Sequence, residues 1–496
     1  MEIETFALKA LLFLTMLFLF VIFFIIIMLM VMYVVDVTQT KHTIRRNYPI
    51  VGRFRYIFEH MGEFFRQYFF AMDREELPFN RAQRSWVYRA AKDVNRNISF
   101  GSTRDLNHDG TILFLNSAFP TLSEDATPAK SLVIGENCQT PYSAPSFFNI
   151  SGMSYGALSR PAVLALSYGA FKAKCWLNTG EGGLSPHHLA GGCDIVMQIG
   201  TAKYGVRDEN GNLSEERLKE VAAIPQVRMF EIKLSQGAKP GKGGMLPAEK
   251  VSKEIAQIRG IAVGEASISP NGHPEIRSSS DLLDMIDKIR TITGKPVGFK
   301  AVLGDTTWVE DLFTEIKVRG IESAPDFITI DSADGGTGAA PQPLMDYMGL
   351  PVSETLPWVI SHLEGYGLRN RIRVVVSGKM ITPSKVAWAL CMGADFVVSA
   401  RGFMFAMGCI QSFQCNKNTC PTGITTHDSK LQRGLVSTQK SGRIANYHKL
   451  IQYDVGMIAH SCGVNDPRAL SPKHVRIVRN KSTNLNVADS SEEIGT

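Results

Sequence analysis

Residues 372–403, IRVVVSGKMITPSKVAWALCMGADFVVSARGF, contain two short apolar strands, a helix-length segment between them and a glycine-bearing turn after each strand. A run of β-branched residues that is apolar on both faces suits a strand buried on both sides, as in a parallel sheet. The helix-length segment supplies the crossover that parallel neighbours need. Working outward, the same texture recurs in SFFNIS (146–151), KCWLNT (174–179), MFEIKL (229–234), GEASIS (264–269), PVGFKA (296–301) and FITID (327–331), ahead of IRVVVS (372–377) and DFVVSA (395–400). Eight such strands with helical stretches between them, over about 255 residues, predict an α/β chain folded as a (β/α)8 TIM barrel. A doubly wound open sheet is disfavoured, because no strand is followed by G-x-G-x-x-G.

In such a barrel the chemistry gathers where the strands end. Ser154, Glu181, Lys233, Lys300, Asp331, Ser377 and Arg401 all follow predicted strands. The loop DSADGGTGAAP (331–341) carries Gly335, Gly336 and Gly338, which let a flat ligand approach the backbone closely. The turns Ser377-Gly378-Lys379 and Ala400-Arg401-Gly402 follow the last two strands, where barrels of this kind build phosphate sites. Lys300 is placed to reach a flavin ring. The segment EIKLSQGAKPGKGGMLP (231–247) fails as a P-loop, because three residues rather than four separate Gly237 from Gly241-Lys242 and Gly243 stands where Ser or Thr is required. Its lysines, Lys233 and Lys239 above all, favour an anionic substrate or a reduced flavin, while Lys242 reads as a solvated turn residue.

A second pattern lies in GCIQSFQCNKNTCPTG (408–423). Five and then four residues separate Cys409, Cys415 and Cys420. This is unlike the close pairs of a zinc ribbon and suits a loop wrapped around a multi-iron centre. Three buried reduced thiols, and a zinc site completed by His427, are the alternatives. The other five of the 8 cysteines have no framework spacing, as in a reducing compartment.

The 496-residue chain carries a formal charge of +6 with dispersed Lys and Arg, which gives nucleic-acid binding no support. From Ala10 to Val35 no residue is charged, enough to span a bilayer core of roughly 30 Å. Lys41, Arg45, Arg46, Arg53 and Arg55 follow closely. The expectation is a single-pass anchor in the cell or inner membrane with the catalytic part in the cytoplasm. The domains expected are an anchor at 1–36, a juxtamembrane and pre-barrel region at 37–144, the barrel with its cysteine loop at 145–428, and a helical extension and tail at 429–496. The aromatics Phe64, Phe65, Tyr68, Phe69 and Phe70 are read as core, with membrane-surface contact as the alternative.

Taken in order, SGMSYGALS (151–159), LNTGEGG (177–183), QIGTAKYGV (198–206), IKLSQGAKPGKGGMLP (232–247), ADGGTGAAP (333–341) and the cysteine run resemble the FMN-binding synthase domain of glutamate synthase. More narrowly, they resemble its stand-alone, membrane-anchored branch. The resemblance covers roughly residues 145 to 428. It implies FMN in the barrel and a 3Fe-4S cluster on Cys409, Cys415 and Cys420. It further implies electrons passing from cluster to flavin, and reduction of the imine formed from 2-oxoglutarate and ammonia. Position by position, it puts Glu181, Lys239 and Arg259 at the substrate, and Ser154, Lys300 and the turns at Gly378 and Gly402 at the flavin.

The chain also departs from that pattern. Met245 replaces the glutamine of GGQLPG, ISPNGHPE (268–275) replaces ISPPPHHD, VSGK replaces VDGG and ARGF replaces GTGP. With no glutaminase-like segment and no NAD(P) fingerprint, ammonia and electrons are expected from outside, the electrons by way of a ferredoxin, a reductase subunit or quinone. A quinone-linked membrane dehydrogenase and a non-catalytic electron-transfer subunit remain as alternative readings.

Overall fold

The computed structural model describes residues 2–95 and 97–479, so the acidic tail SSEEIGT lies outside the described residues. Two compact units divide between Arg81 and Ala82.

The larger unit is built on eight parallel strands: β1 (Phe148–Ile150), β2 (Leu177–Asn178), β3 (Ile195–Ile199), β4 (Val227–Lys233), β5 (Val297–Val302), β6 (Phe327–Asp331), β7 (Arg373–Ser377) and β8 (Phe396–Ser399). Each pairs with its neighbours in chain order, and β8 pairs with β1 to close the barrel. Nearly every strand residue is buried, as strands covered on both faces by helices require.

The strand count agrees with the sequence reading, but one member differs. GEASIS is not a barrel strand: its Ser267–Ile268 pairs antiparallel with Met245–Leu246 in a separate two-stranded hairpin. The third strand is instead IVMQI, β3. The link from β2 to β3 holds only a four-residue helix, Pro186–Leu189, so it lacks the amphipathic spacer by which a βα unit is recognised. The long connection between β4 and β5 had room for a false strand.

A hairpin of Leu132–Ile134 and Tyr142–Ala144 closes the N-terminal end of the barrel. Its Ile134 and Tyr142 pack with Trp176, Phe327 and Phe396, all at the beginnings of strands, and with Met229 and Val375. That end is therefore filled, and the opposite end is free for loops.

The 25-residue helix Ser437–Ser461 packs on the helix Arg160–Ala173. They pack tightly at Gly169, where a Cβ would lie 2.4 Å from Ile444 Cγ2. Gly169→Val should therefore destabilise the barrel by about 1–3 kcal/mol. Chemical denaturation should show that loss, with part of it recovered in Gly169→Val/Ile444→Ala.

The smaller unit contains α1 (Glu2–Thr38), α2 (Thr43–Asn47) and α3 (Val51–Phe65), the last continued by a π-turn at Arg66–Phe70. Residues Thr5–Thr38 are long and apolar enough to cross a membrane. Phe64, Phe65, Tyr68, Phe69 and Phe70 are exposed, so the core reading of this aromatic cluster is overturned. Among the described residues, α2 packs on the side of α3 that carries Gly52 and Tyr56, away from Phe64, Phe65 and Tyr68.

Candidate functional site

Over the C-terminal ends of the strands lies a cleft of about 160 Å3. Loops from β1, β2, β4, β6 and β8 line it, so it is the mouth that the hairpin at the other end leaves open.

Its floor begins inside the barrel. The buried Glu231 of β4 accepts hydrogen bonds from Asn178 Nδ2 (2.8 Å), Gln198 Nε2 (2.6 Å) and Thr329 Oγ1 (2.6 Å). One carboxylate thus fixes the amides of β2 and β3, and Asn178 Oδ1 in turn accepts the N–H of Gly180 at 2.9 Å. A Cβ on Gly152 would lie 2.9 Å from that same Oδ1, so the first loop sits directly on these amides. The sequence reading missed Glu231, Asn178 and Gln198. A polar side chain within an apolar strand, at an inward position, was the signal available.

Above this floor stands Glu181. Its Oε1 is 2.9 Å from Lys233 Nζ and 3.9 Å from Lys239 Nζ, and all three side chains are largely buried. Burial alone would raise the Glu181 carboxyl, but Lys233 and Lys239 overcome it and hold the pKa at about 2. Burial pulls Lys239 below the ordinary lysine value, against the opposing pull of Glu181. Gly244 is required here, since a Cβ would come 2.6 Å from Glu181 Oε1.

Arg259 lines the same cleft. Its Nη1 donates to Ser267 Oγ (3.0 Å) and its Nη2 to the Tyr155 carbonyl (3.3 Å), and its guanidinium lies 5.1 Å from the centre of the Tyr204 ring. It is buried, and no carboxylate among the described residues pairs with it. Lys233, Lys239 and Arg259 therefore outnumber the single carboxylate of Glu181, and the cleft favours an anion.

The cysteine loop forms the far wall. Cys415 lines the cleft, and Cys409 and Cys420 are buried behind it. Lys250 Nζ donates to the carbonyls of Cys415 (2.7 Å) and Thr425 (2.5 Å), and Tyr88 Oη donates to the Cys409 carbonyl (2.6 Å). Gln411, Phe413 and Asn418 all adopt positive φ, at 57°, 55° and 59°, a density of left-handed residues typical of ligand clamps. Arg401 Nη1 lies 3.8 Å from Cys415 Sγ, and its Nη2 donates to the Thr337 carbonyl at 2.5 Å. Arg401 thus ties the glycine loop after β6 to the cysteines.

Three thiols with two cations beside them fit the donor chemistry of an iron–sulfur cluster, whose thiolates need charge compensation. Among the described residues, no three His, Cys, Asp or Glu side chains come together as they would around a single metal ion. His427 bonds through Nε2 to the Gly156 carbonyl at 2.8 Å instead of turning to the thiols, so the zinc alternative has no geometric support.

The other expected residues are placed as follows. Ser154 and Gly336 line the cleft. Lys300 lies lower, paired with Asp331 at 3.1 Å, and Asp331 also accepts the Gly237 N–H at 3.0 Å. Gly335, Ser377, Gly378, Lys379 and Gly402 lie at the ends of β6, β7 and β8 outside the cleft lining. There Lys379 pairs with Asp334 at 3.0 Å, and Gly378 has φ 115° with no room for a Cβ beside Ser332. Lys242 is exposed, as read. Met245 is at the rim, opposite Ile268 across the hairpin, and both are exposed. Met245, which departs from the family pattern, thus forms one apolar lip with Ile268, where the departing 268–275 loop begins.

The family profile described as the conserved region in glutamate synthase matches residues 107–465. The chain belongs to the glutamate synthase family. A Bacillus subtilis glutamate synthase large subunit-like protein is 40% identical, over 92% of this chain and 94% of its own length. The archaeal glutamate synthase (NADPH) of Methanocaldococcus jannaschii is 32% identical over 66% of this chain, and the match covers 61% of that longer protein. Among solved structures, a mandelate oxidase aligns over 80% of this chain and 90% of its own at 15% identity, with a TM-score of 0.46. Like these glutamate synthase (NADPH) relatives, the chain is an oxidoreductase.

Two outcomes follow from these contacts. Because the Glu181 pKa is depressed in the folded state, its stabilising contribution is complete above the ordinary carboxyl value of about 4.3 and is lost as pH falls towards 2. Acid titration followed by tryptophan fluorescence should show this loss, and Glu181→Gln should remove that part of the profile. Lys250→Met removes two charge-assisted hydrogen bonds, worth about 1.5–3 kcal/mol each, from the cysteine loop. Chemical denaturation should show that loss as a lower midpoint for this variant.

Proposed function

We propose that the protein is a membrane-anchored FMN and iron–sulfur oxidoreductase that reduces the imine of an oxo acid to an amino acid. The observation that carries this reading is the joining of Glu181, Lys239 and Arg259 with Cys415 on one cleft over the barrel mouth. Anionic substrate and reducing centre would then share a wall.

The cleft suits a flavin. Gly338 lines it, yet a Cβ there would meet no protein atom, so the glycine leaves room that the protein itself does not fill. Gly152, Ser154 and Gly336 would border the ring, and Lys300 would support it from below. The turns at Ser377–Lys379 and Arg401–Gly402 would serve its phosphate. When bound, FMN supplies hydride chemistry, and the cluster on Cys409, Cys415 and Cys420 supplies electrons one at a time.

The chain's own residues set up the substrate. Arg259 pairs in bidentate fashion with one carboxylate and Lys239 with the other. Glu181 orients Lys233 and Lys239 while leaving the cleft net positive. The Met245–Ile268 lip gives one carboxylate edge no polar partner, which shifts preference towards an oxo acid with a less polar distal group. Ammonia and electrons come from outside, through a ferredoxin, a reductase subunit or quinone. With α1 in the cell membrane, the barrel lies in the cytoplasm. The apolar lip, taken with α1, also favours a second reading, a quinone-linked dehydrogenase acting on amino acids.

Anaerobic addition of oxo acids with ammonia to the chemically reduced, detergent-solubilised enzyme should reoxidise its flavin. Reduction by amino acids with quinone as acceptor would favour the second reading, and no response to either panel would overturn both. Arg259→Lys should raise KM for the oxo acid by roughly ten- to a hundredfold. Met245→Gln should shift preference towards 2-oxoglutarate in the same assay.

A further inference from the structure

The exposed stripe on α3 is periodic. Phe54, Ile57, Phe58, Met61, Phe64, Phe65 and Tyr68 are all exposed, and their i, i+3, i+4, i+7 spacing puts them within about a third of the helix circumference. Arg55, Glu59, Glu63 and Arg66 occupy the opposite side. The stripe is ordered along its length: Phe64 stacks near Tyr68 with ring centres 4.8 Å apart, and Phe65 near Phe69 at 5.4 Å.

Two features make this a built surface. First, α2 packs on the other side of α3. A Cβ on Gly52 would lie 2.8 Å from the Ile44 carbonyl oxygen, Arg45 stacks over Tyr56 at 4.7 Å, and His42 meets the same ring at 5.2 Å. Second, the corner between α1 and α3 is clamped. Asp36, buried near the end of α1, is held by Arg53 Nε and Nη2 (both 2.8 Å) and accepts the Ile50 N–H (2.9 Å). The direction in which α3 leaves the apolar helix is thereby set by side chains.

We infer that α3 and its π-turn lie in the headgroup region of the bilayer that α1 crosses, with the aromatic stripe turned into the acyl boundary. The charge balance names the lipid. Six Lys and Arg, against two Glu, lie between residues 39 and 66, which favours an anionic leaflet. Phe and Tyr rings at this position match the amphipathic pattern of in-plane interfacial helices. The chain is then held by two elements, one crossing and one lying flat, so the chain just after the span is kept at the membrane surface. This inference rests on the reading of α1 as a membrane span.

The test uses the full chain in nanodiscs containing phosphatidylglycerol. A genetically encoded fluorescent amino acid is placed singly at Phe58, Met61 or Phe65, at Glu59 or Glu63, and at Ile22 as the control for α1. Lipids brominated near the headgroup should quench the three apolar-face sites roughly threefold more than the two glutamate sites, and aqueous iodide should reverse the order. Lipids brominated at the chain ends should quench the Ile22 site. Equal quenching on both faces of α3 with Ile22 quenched overturns the inference alone. Shielding of the apolar face from both quenchers overturns it in favour of a protein partner or a second copy. An unquenched Ile22 site overturns the reading of α1 itself. Arg55→Glu/Arg66→Glu should weaken the lipid quenching at Phe58 in anionic but not in neutral discs.

Discussion

The buried carboxylate of Glu231, inside the barrel, is the constraint on which the upper half of the molecule depends. A carboxyl group with three donors and almost no exposure is tolerable only while every donor stays in place. Its donors come from β2, β3 and β6, and their hydrogen bonds tie these three strands to β4 at one height. The loop that carries Glu181 grows from one of these ends, through the bond from the Gly180 N–H to Asn178. The position of the cleft carboxylate is thus inherited from a polar contact one layer below it.

Charge in the cleft is arranged unevenly. Glu181 answers Lys233 and part of Lys239, Arg259 has only neutral partners, and Lys250 and Arg401 face the cysteine loop. Buried cations without carboxylates cost free energy unless something anionic joins them. The proposed chemistry, in which a carboxylated substrate and a thiolate-bound centre meet, would satisfy that requirement on both walls. Met245 and Ile268 stand out against this background: they make the rim apolar where the rest of the cleft is charged.

The smaller unit follows a different rule. Its stability does not come from a buried core, since α1 and the stripe on α3 are exposed. It comes from a corner in which Asp36, Arg53 and Gly52 fix how the chain turns. Local polar contacts define that geometry, and the apolar surface stays exposed.

Much of the barrel could be read from the chain, because strands buried on both faces leave continuous apolar runs and their crossovers leave helix-length gaps. The third strand could not, since the link before it carries a single short helix turn and IVMQI contains the inward Gln198. The glycine loops, Glu181, Lys239, Arg259 and the three cysteines were legible as types and spacings. Their assembly around one cleft was not, because Glu181 and Cys415 stand far apart along the chain and only closure of the barrel brings them together. Sequence alone determined which chemistry the chain can carry, through the residue types placed after its strands. Tertiary structure decided what each of them faces: Lys250 turned to the cysteine loop, Arg401 turned to Cys415, Met245 paired with Ile268 at the rim, and an aromatic cluster read as core turned outward. Burial and partnership are properties of the packed chain, and no local pattern fixes them.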